Sequence, residues 1–205
     1  EHLENAELNA HDVTKITDDY PNLEIADAYD VQWEIRRRKV ERGSRIVGMK
    51  MGLTSRSKME QLGVDTPIYG LLADYLECPE SGQIKVDELV HPKVEAELAF
   101  YTKAPIKGPG CHIGDVLAAT DFVVPALEII DSRYQDFKFS LTDVVADNCS
   151  SAAYVLGPWN RPDGDISNLG MVLTFNGRPV EIGSSAAILG HPAPPVADAA
   201  RLASQ

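Results

Sequence analysis

The chain has 205 residues and a mass of 22.4 kDa, the size of one ordinary domain or of one large and one small lobe. Hydrophobic residues make up 44% and charged residues 24%, a globular composition with enough apolar side chains for a sizeable core. Nineteen Lys and Arg against 31 Asp and Glu give a net charge of −12, which excludes a general binder of nucleic acid or of anionic membrane.

Residues 1–17 read as helical. A second helix is predicted over "ADAYDVQWEIRRRKVERG", with Ala28, Val31 and Ile35 on one stripe and Gly43 closing it. "RIVGMKMGL" reads as a buried strand, and "SRSKMEQLG" as a short helix capped by Ser55 and stopped by Gly63. From residue 83 the chain turns strand-like: "QIKVDELV", "VEAELAFYT", "PALEIIDSR", "SAAYVLG" and "MVLTFNGRPVEI". A helix, "GDVLAATDF", falls among them, and Asn176-Gly177 in the last segment is a strong hairpin signal. The chain ends in a helix-like stretch, "VADAARLASQ". Helices followed by a strand-rich body predict an α+β fold.

Within "HPKVEAELAF" the apolar Val94, Ala96, Leu98 and Phe100 recur with period 2, the signature of a half-buried strand. That period places Glu95 and Glu97 together on the opposite face. Glu128 is a third acid set in an apolar strand, "VVPALEIIDSR". Three carboxylates without nitrogen or sulfur companions suit a hard divalent cation, Mg²⁺ or Mn²⁺. The alternative is pairing with Lys or Arg on neighbouring strands, or simple exposure to solvent, and spacing alone leaves both readings open.

The other polar residues admit the same two kinds of reading. Lys50, among apolar neighbours, is either a snorkelling edge residue or a cation held near an anionic substrate. Arg133 and Lys138 are expected to pair with Asp131 and Asp136. Asn148, Ser150 and Ser151 form an ordinary turn cluster whose groups are also able to bind a carboxylate. The basic run Arg36-Arg37-Arg38-Lys39 predicts a solvated or subunit-contact helix face. Cys78, Cys111 and Cys149 are odd in number and far apart, which argues for reduced thiols in a cytosol. The five histidines show no ligand-like pairing, and no Walker loop, GxGxxG or GxSxG motif is present. No apolar run approaches the roughly 18 residues of a membrane span, and no signal peptide is visible, so a cytoplasmic protein without membrane partners is expected.

The segments "HLENAELNAHDVTKITDDYP", "GMKMGLTSRSKMEQLGVDTPIYGLLADY", "HPKVEAELAF", "GPGCHIGDVLAATDFVVPALEIIDSRYQDFKFSLTDVVADNCSSA" and "AAILGHP" resemble the 4-oxalocrotonate decarboxylase family, end to end. That family sits in the fumarylacetoacetate hydrolase superfamily, beside the 2-keto-4-pentenoate hydratases. The resemblance implies a small α/β N-terminal part, residues 1–80, on a metal-binding mixed β-sandwich roll, residues 81–205, integrated into one domain. It implies Glu95, Glu97 and Glu128 as Mg²⁺ or Mn²⁺ ligands, Lys50 as the catalytic lysine, and Ile68, Ser150 and Ser151 against the substrate. Ile68, in "TPIYG", stands where the hydratase branch has an Asp, and so favours the decarboxylase branch. The implied activity is metal-dependent loss of CO₂ from 4-oxalocrotonate, a 2-oxo dicarboxylate, giving 2-hydroxypenta-2,4-dienoate in catechol meta-cleavage. The implied partners are further copies of the chain and the sister hydratase. The rival expectations are hydration of 2-hydroxypentadienoate, acylpyruvate hydrolysis, which lacks a His-Glu pair here, and a non-catalytic assembly subunit. The family continues past "ARLASQ" through further strands, so the roll is expected to lack its C-terminal strands.

Overall fold

The computed structural model describes residues 1–204 and is a mixed α+β structure. In chain order it comprises α1 (His2–Leu8), α2 (Ile16–Asp19), α3 (Ile25–Glu41), β1 (Ile46–Gly52), α4 (Arg56–Leu62), β2 (Ile68–Ala73) and β3 (Pro92–Thr102). There follow α5 (Ile113–Ala119), β4 (Thr120–Asp131), α6 (Leu141–Ala146), β5 (Ser151–Leu156), β6 (Gly170–Phe175), β7 (Arg178–Ser184) and α7 (Ala193–Leu202). The strands pair as β1-β2, as β3-β4-β5 and as β6-β7. The chain divides into two compact units. The first holds residues 1–50, 69–95 and 127–155, and the second 51–68, 96–126 and 156–205. The division falls inside β1, β2, β3, β4 and β5, so these strands contribute to both units.

In the first unit, α3 presents Ala28 and Ile35 inward, as its apolar spacing dictates, and the left-handed Gly43 (φ 98°) follows its end. Gln32, fully buried on the same face, donates through Nε2 to the Tyr69 carbonyl at 2.9 Å and the Val145 carbonyl at 3.1 Å, fastening α3 to β2 and α6. The Tyr29 and Tyr69 rings stack with centroids 4.6 Å apart. Ser140 and Asp143 form a capping box on α6, and Asp143 also accepts from the Thr17 amide and hydroxyl. Three residues of the basic run on α3 form ion pairs within the chain: Arg37 with Glu34 and Glu41, Arg38 with Glu1, Glu4 and Glu34, and Lys39 with Glu7, while the Arg36 guanidinium lies over the Trp33 ring.

In the second unit, Cys111, Val116, Ala193 and Ala197 form a core between α5 and α7, with Phe100 packed against it. Strands β6 and β7 make an antiparallel hairpin whose turn, Asn176-Gly177, is left-handed at both residues, the conformation that sequence favours. Val172 and Ile182 sit opposite one another on its exposed side, with Val180 and Phe175 also exposed.

Three local expectations are corrected. The helix over residues 1–17 is broken between α1 and α2, because Val13 is drawn into a bridge with Tyr134: its amide donates to the Arg133 carbonyl, and its own carbonyl accepts from Gln135. "QIKVDELV" forms no strand, only a short 3₁₀ turn at Val86–Glu88. Arg133 pairs with Asp147 and not Asp131, whose carboxylate instead accepts the Val90 and His91 amides at the entry to β3. Lys138 does pair with Asp136 at the surface.

Candidate functional site

Glu95 and Glu97 alternate on β3, and Glu128 stands on the adjacent β4. One carboxylate oxygen from each of the three lies within 4.8 Å of the other two. Glu128 is buried, and Glu95 and Glu97 are half-buried. The apolar neighbours go the other way: Val94 is 53% exposed, Ala96 is exposed, and Leu127 on β4 is 37% exposed. Period 2 separates the two faces of a strand but does not say which is covered. Further along the same strand, Leu98 and Phe100 are half-buried.

Burying acids in preference to valine requires positive charge. At a separation of 4.8 Å, two carboxylates repel by about 3.5 kcal/mol at an effective dielectric of 20. Lys50 supplies one positive charge. Its neighbours Val47 and Met49 are exposed, whereas its own side chain is 10% exposed, with Nζ 3.0 Å from Glu128 Oε1. Nζ also donates to the Cys149 carbonyl at 2.9 Å. Burial works against the ammonium, but Glu128, Cys149 and Glu95 together outweigh it and hold the Lys50 pKa above its ordinary value. The Cys149 thiol is pushed up to about 12, chiefly by burial, so it is neutral and no nucleophile.

The donor set is three carboxylate oxygens, which suits a hard divalent cation. Oxygens bound to one such ion at about 2.0–2.6 Å are themselves at most roughly 5 Å apart, and the observed spread meets that limit. Ser150 and Ser151, each 3% exposed, follow directly on Cys149, and neither hydroxyl has a hydrogen-bond partner among the described residues. Ile68, at the start of β2, is 5% exposed and packs so tightly that a Cβ on Gly52 would lie 3.0 Å from its Cγ1. Sequence reasoning named Asn148 as part of a turn cluster but missed that its amide bonds both backbone groups of Leu71. The cluster "DNCSS" signalled a turn there but gave no sign of its partners.

No family model matches the chain. It is 59% identical over 204 residues to a 4-oxalocrotonate decarboxylase of Pseudomonas sp. strain CF600, covering 98% of this chain and 77% of that protein. The solved structure of 4-oxalocrotonate decarboxylase from Pseudomonas putida G7, complexed with magnesium and adipate, superposes with a TM-score of 0.95 at 56% identity. That match covers 98% of this chain and 77% of the other. A structure assigned to the fumarylacetoacetate hydrolase family, from Yersinia pestis CO92, shares the fold at 15% identity. Its TM-score is 0.53, over 75% of this chain and 73% of that one.

Proposed function

The chain belongs to the 4-oxalocrotonate decarboxylase family, and on that premise we propose that Glu95, Glu97 and Glu128 hold the divalent ion of a carboxy-lyase in which Lys50 is the catalytic lysine. The reaction is loss of CO₂ from 4-oxalocrotonate to give 2-hydroxypenta-2,4-dienoate, with Mg²⁺ or another divalent metal as cofactor. The observation that carries the site assignment is the gathering of one oxygen from each of three carboxylates within 4.8 Å, beside a lysine whose side chain is 10% exposed.

The bond between C5 and the C6 carboxylate breaks. Its electron pair spreads through the 3,4-alkene to the 2-oxo oxygen, which is protonated to the 2-hydroxy group. When bound, the metal supplies Lewis-acid charge at the 1-carboxylate and 2-oxo end of the substrate. Lys50 places an ammonium proton at the 2-oxo oxygen as negative charge develops there, an interaction stronger in the transition state than in the ground state. A buried hydroxyl left unsatisfied costs about 1–3 kcal/mol, so Ser150 and Ser151 gain most by donating to a substrate carboxylate. Ile68 keeps its side of the pocket uncharged. A carboxylate there would repel the leaving carboxylate by about 4 kcal/mol at ~4 Å and an effective dielectric of 20.

The exposed Val172, Phe175, Val180 and Ile182 support burial of the hairpin in a larger assembly, formed with further copies or with the sister hydratase. Among the described residues no helix is long and apolar enough to cross a membrane.

The test is product analysis. The purified protein with Mg²⁺ and 4-oxalocrotonate is expected to release one CO₂ per substrate and to hydrate 2-hydroxypentadienoate weakly or not at all. Efficient hydration without CO₂ release would overturn the reading.

A further inference from the structure

Three consecutive residues without the freedom of glycine, Asn148, Cys149 and Ser150, have φ of 50°, 52° and 56°, and Cys149 has ψ 38°. This is a left-handed turn of L-residues, disfavoured because each Cβ crowds the following carbonyl. Such a conformation persists only where its surroundings over-determine it. Here they do. The Asn148 Oδ1 accepts from the Leu71 amide at 2.8 Å, and its Nδ2 donates to the Leu71 carbonyl at 2.9 Å, so the side chain takes the place of a neighbouring strand. The Cys149 thiol donates to the Tyr69 carbonyl at 3.1 Å. The buried Arg133 donates to the Asp147 and Ser151 carbonyls, clamping both ends of the turn. Residue 70 must be glycine for this approach, since a Cβ there would lie 2.6 Å from the Asn148 carbonyl oxygen and 3.2 Å from Lys50 Cδ.

The turn's handedness decides where one carbonyl points. The Cys149 oxygen accepts from Lys50 Nζ at 2.9 Å, and a right-handed turn over the same residues would rotate that peptide away. A lysine has four rotatable stem bonds and localises poorly without fixed acceptors. The carbonyl is a neutral acceptor that orients the ammonium without altering the local charge.

We propose that Asn148 is a positioning residue for Lys50: its carboxamide, paired with the backbone of Leu71, holds the left-handed turn whose Cys149 carbonyl fixes the ammonium. The proposal rests on the catalytic reading of Lys50. It goes beyond that reading in assigning a role to a residue outside the proposed metal ligands and catalytic lysine.

A double-mutant cycle tests it, with Asn148→Ala, Lys50→Met and the double variant assayed for CO₂ release, thermal melting and Mn²⁺ binding by calorimetry. Asn148→Ala is expected to lower kcat at least tenfold with KM changed less than threefold and Mn²⁺ affinity within threefold of the parent. In the Lys50→Met background it should lower kcat less than twofold further, because residues acting as a unit are not additive. Equal losses in both backgrounds, a change in KM alone, or a lower melting temperature with unchanged kcat would each overturn it. If Asn148→Ala does not fold, Asn148→Asp, which keeps the acceptor for the Leu71 amide, takes its place in the cycle under the same criteria. Full activity of Lys50→Met alone would instead refute the catalytic reading of the lysine, and the proposal with it.

Discussion

Lys50→Met keeps the length and apolar stem of the side chain but removes an ammonium 3.0 Å from Glu128 Oε1 and 2.9 Å from the Cys149 carbonyl. At 3.0 Å the gross attraction is about 5.5 kcal/mol for an effective dielectric of 20. Both side chains are at most 10% exposed, so solvent screening is weak. Breaking a buried pair by removing one partner costs about 3–5 kcal/mol, which for a chain of this size corresponds to roughly 6–20 °C of melting temperature. The loss should be largest in EDTA, where three carboxylates stay crowded within 4.8 Å. It should shrink in saturating Mg²⁺, because a cation at the same carboxylates supplies charge and stabilises by mass action. Independently of stability, kcat and kcat/KM for CO₂ release should fall together by about 10²–10³, the usual effect of deleting one preorganised donor. Differential scanning calorimetry with and without Mg²⁺, alongside steady-state kinetics, measures both effects. An unchanged melting temperature in EDTA would show that the pair contributes nothing, and an unchanged kcat would return Lys50 to a purely structural role.

Glu97→Gln removes a half-buried charge without removing core volume. It should weaken Mg²⁺ binding at least tenfold and abolish most turnover, while melting in EDTA at or above the parent temperature; parent-like calorimetric affinity would contradict the ligand assignment. Ile68→Asp introduces a carboxylate at a position 5% exposed and should reduce CO₂ release at least tenfold beyond the uncharged control Ile68→Asn; equal activity of the two variants would remove the electrostatic role. Burial raises the Glu4 carboxyl, but hydrogen bonds from Arg42 and Arg38 outweigh it and hold its pKa below the ordinary 4.5. Its contribution is therefore present above that pH and lost as pH falls through the lower folded-state value. Urea unfolding of the parent and Glu4→Gln should differ at about pH 6 and converge as the pH falls below the ordinary carboxyl range, and a difference that persists in strong acid would refute the linkage.

Features fixed by local chemistry were legible in the sequence. The stripe and terminal glycine of α3 and the Asn176-Gly177 hairpin follow from neighbours within a few residues. Period 2 isolated Glu95, Glu97 and Glu128 as strand acids, but their roles came from the family resemblance. Which strand face is covered was not legible, because the compensating lysine lies on β1, far away in sequence. The break before Val13 was hidden for the same reason, since the bridge to Tyr134 competes with local helix formation. Arg133 chose Asp147 over the nearer Asp131 because burying a guanidinium favours the partner that also offers backbone acceptors. The left-handed turn at Asn148 was the least legible, as its handedness depends on Leu71, Tyr69 and Arg133 together.

The central claim is that Glu95, Glu97 and Glu128 share one divalent ion. Crystals grown with Mn²⁺, measured by anomalous diffraction, locate that ion directly. The account predicts one strong peak within about 2.0–2.6 Å of an oxygen from each of the three carboxylates. A peak elsewhere, or none beside these residues at saturating Mn²⁺, would contradict it.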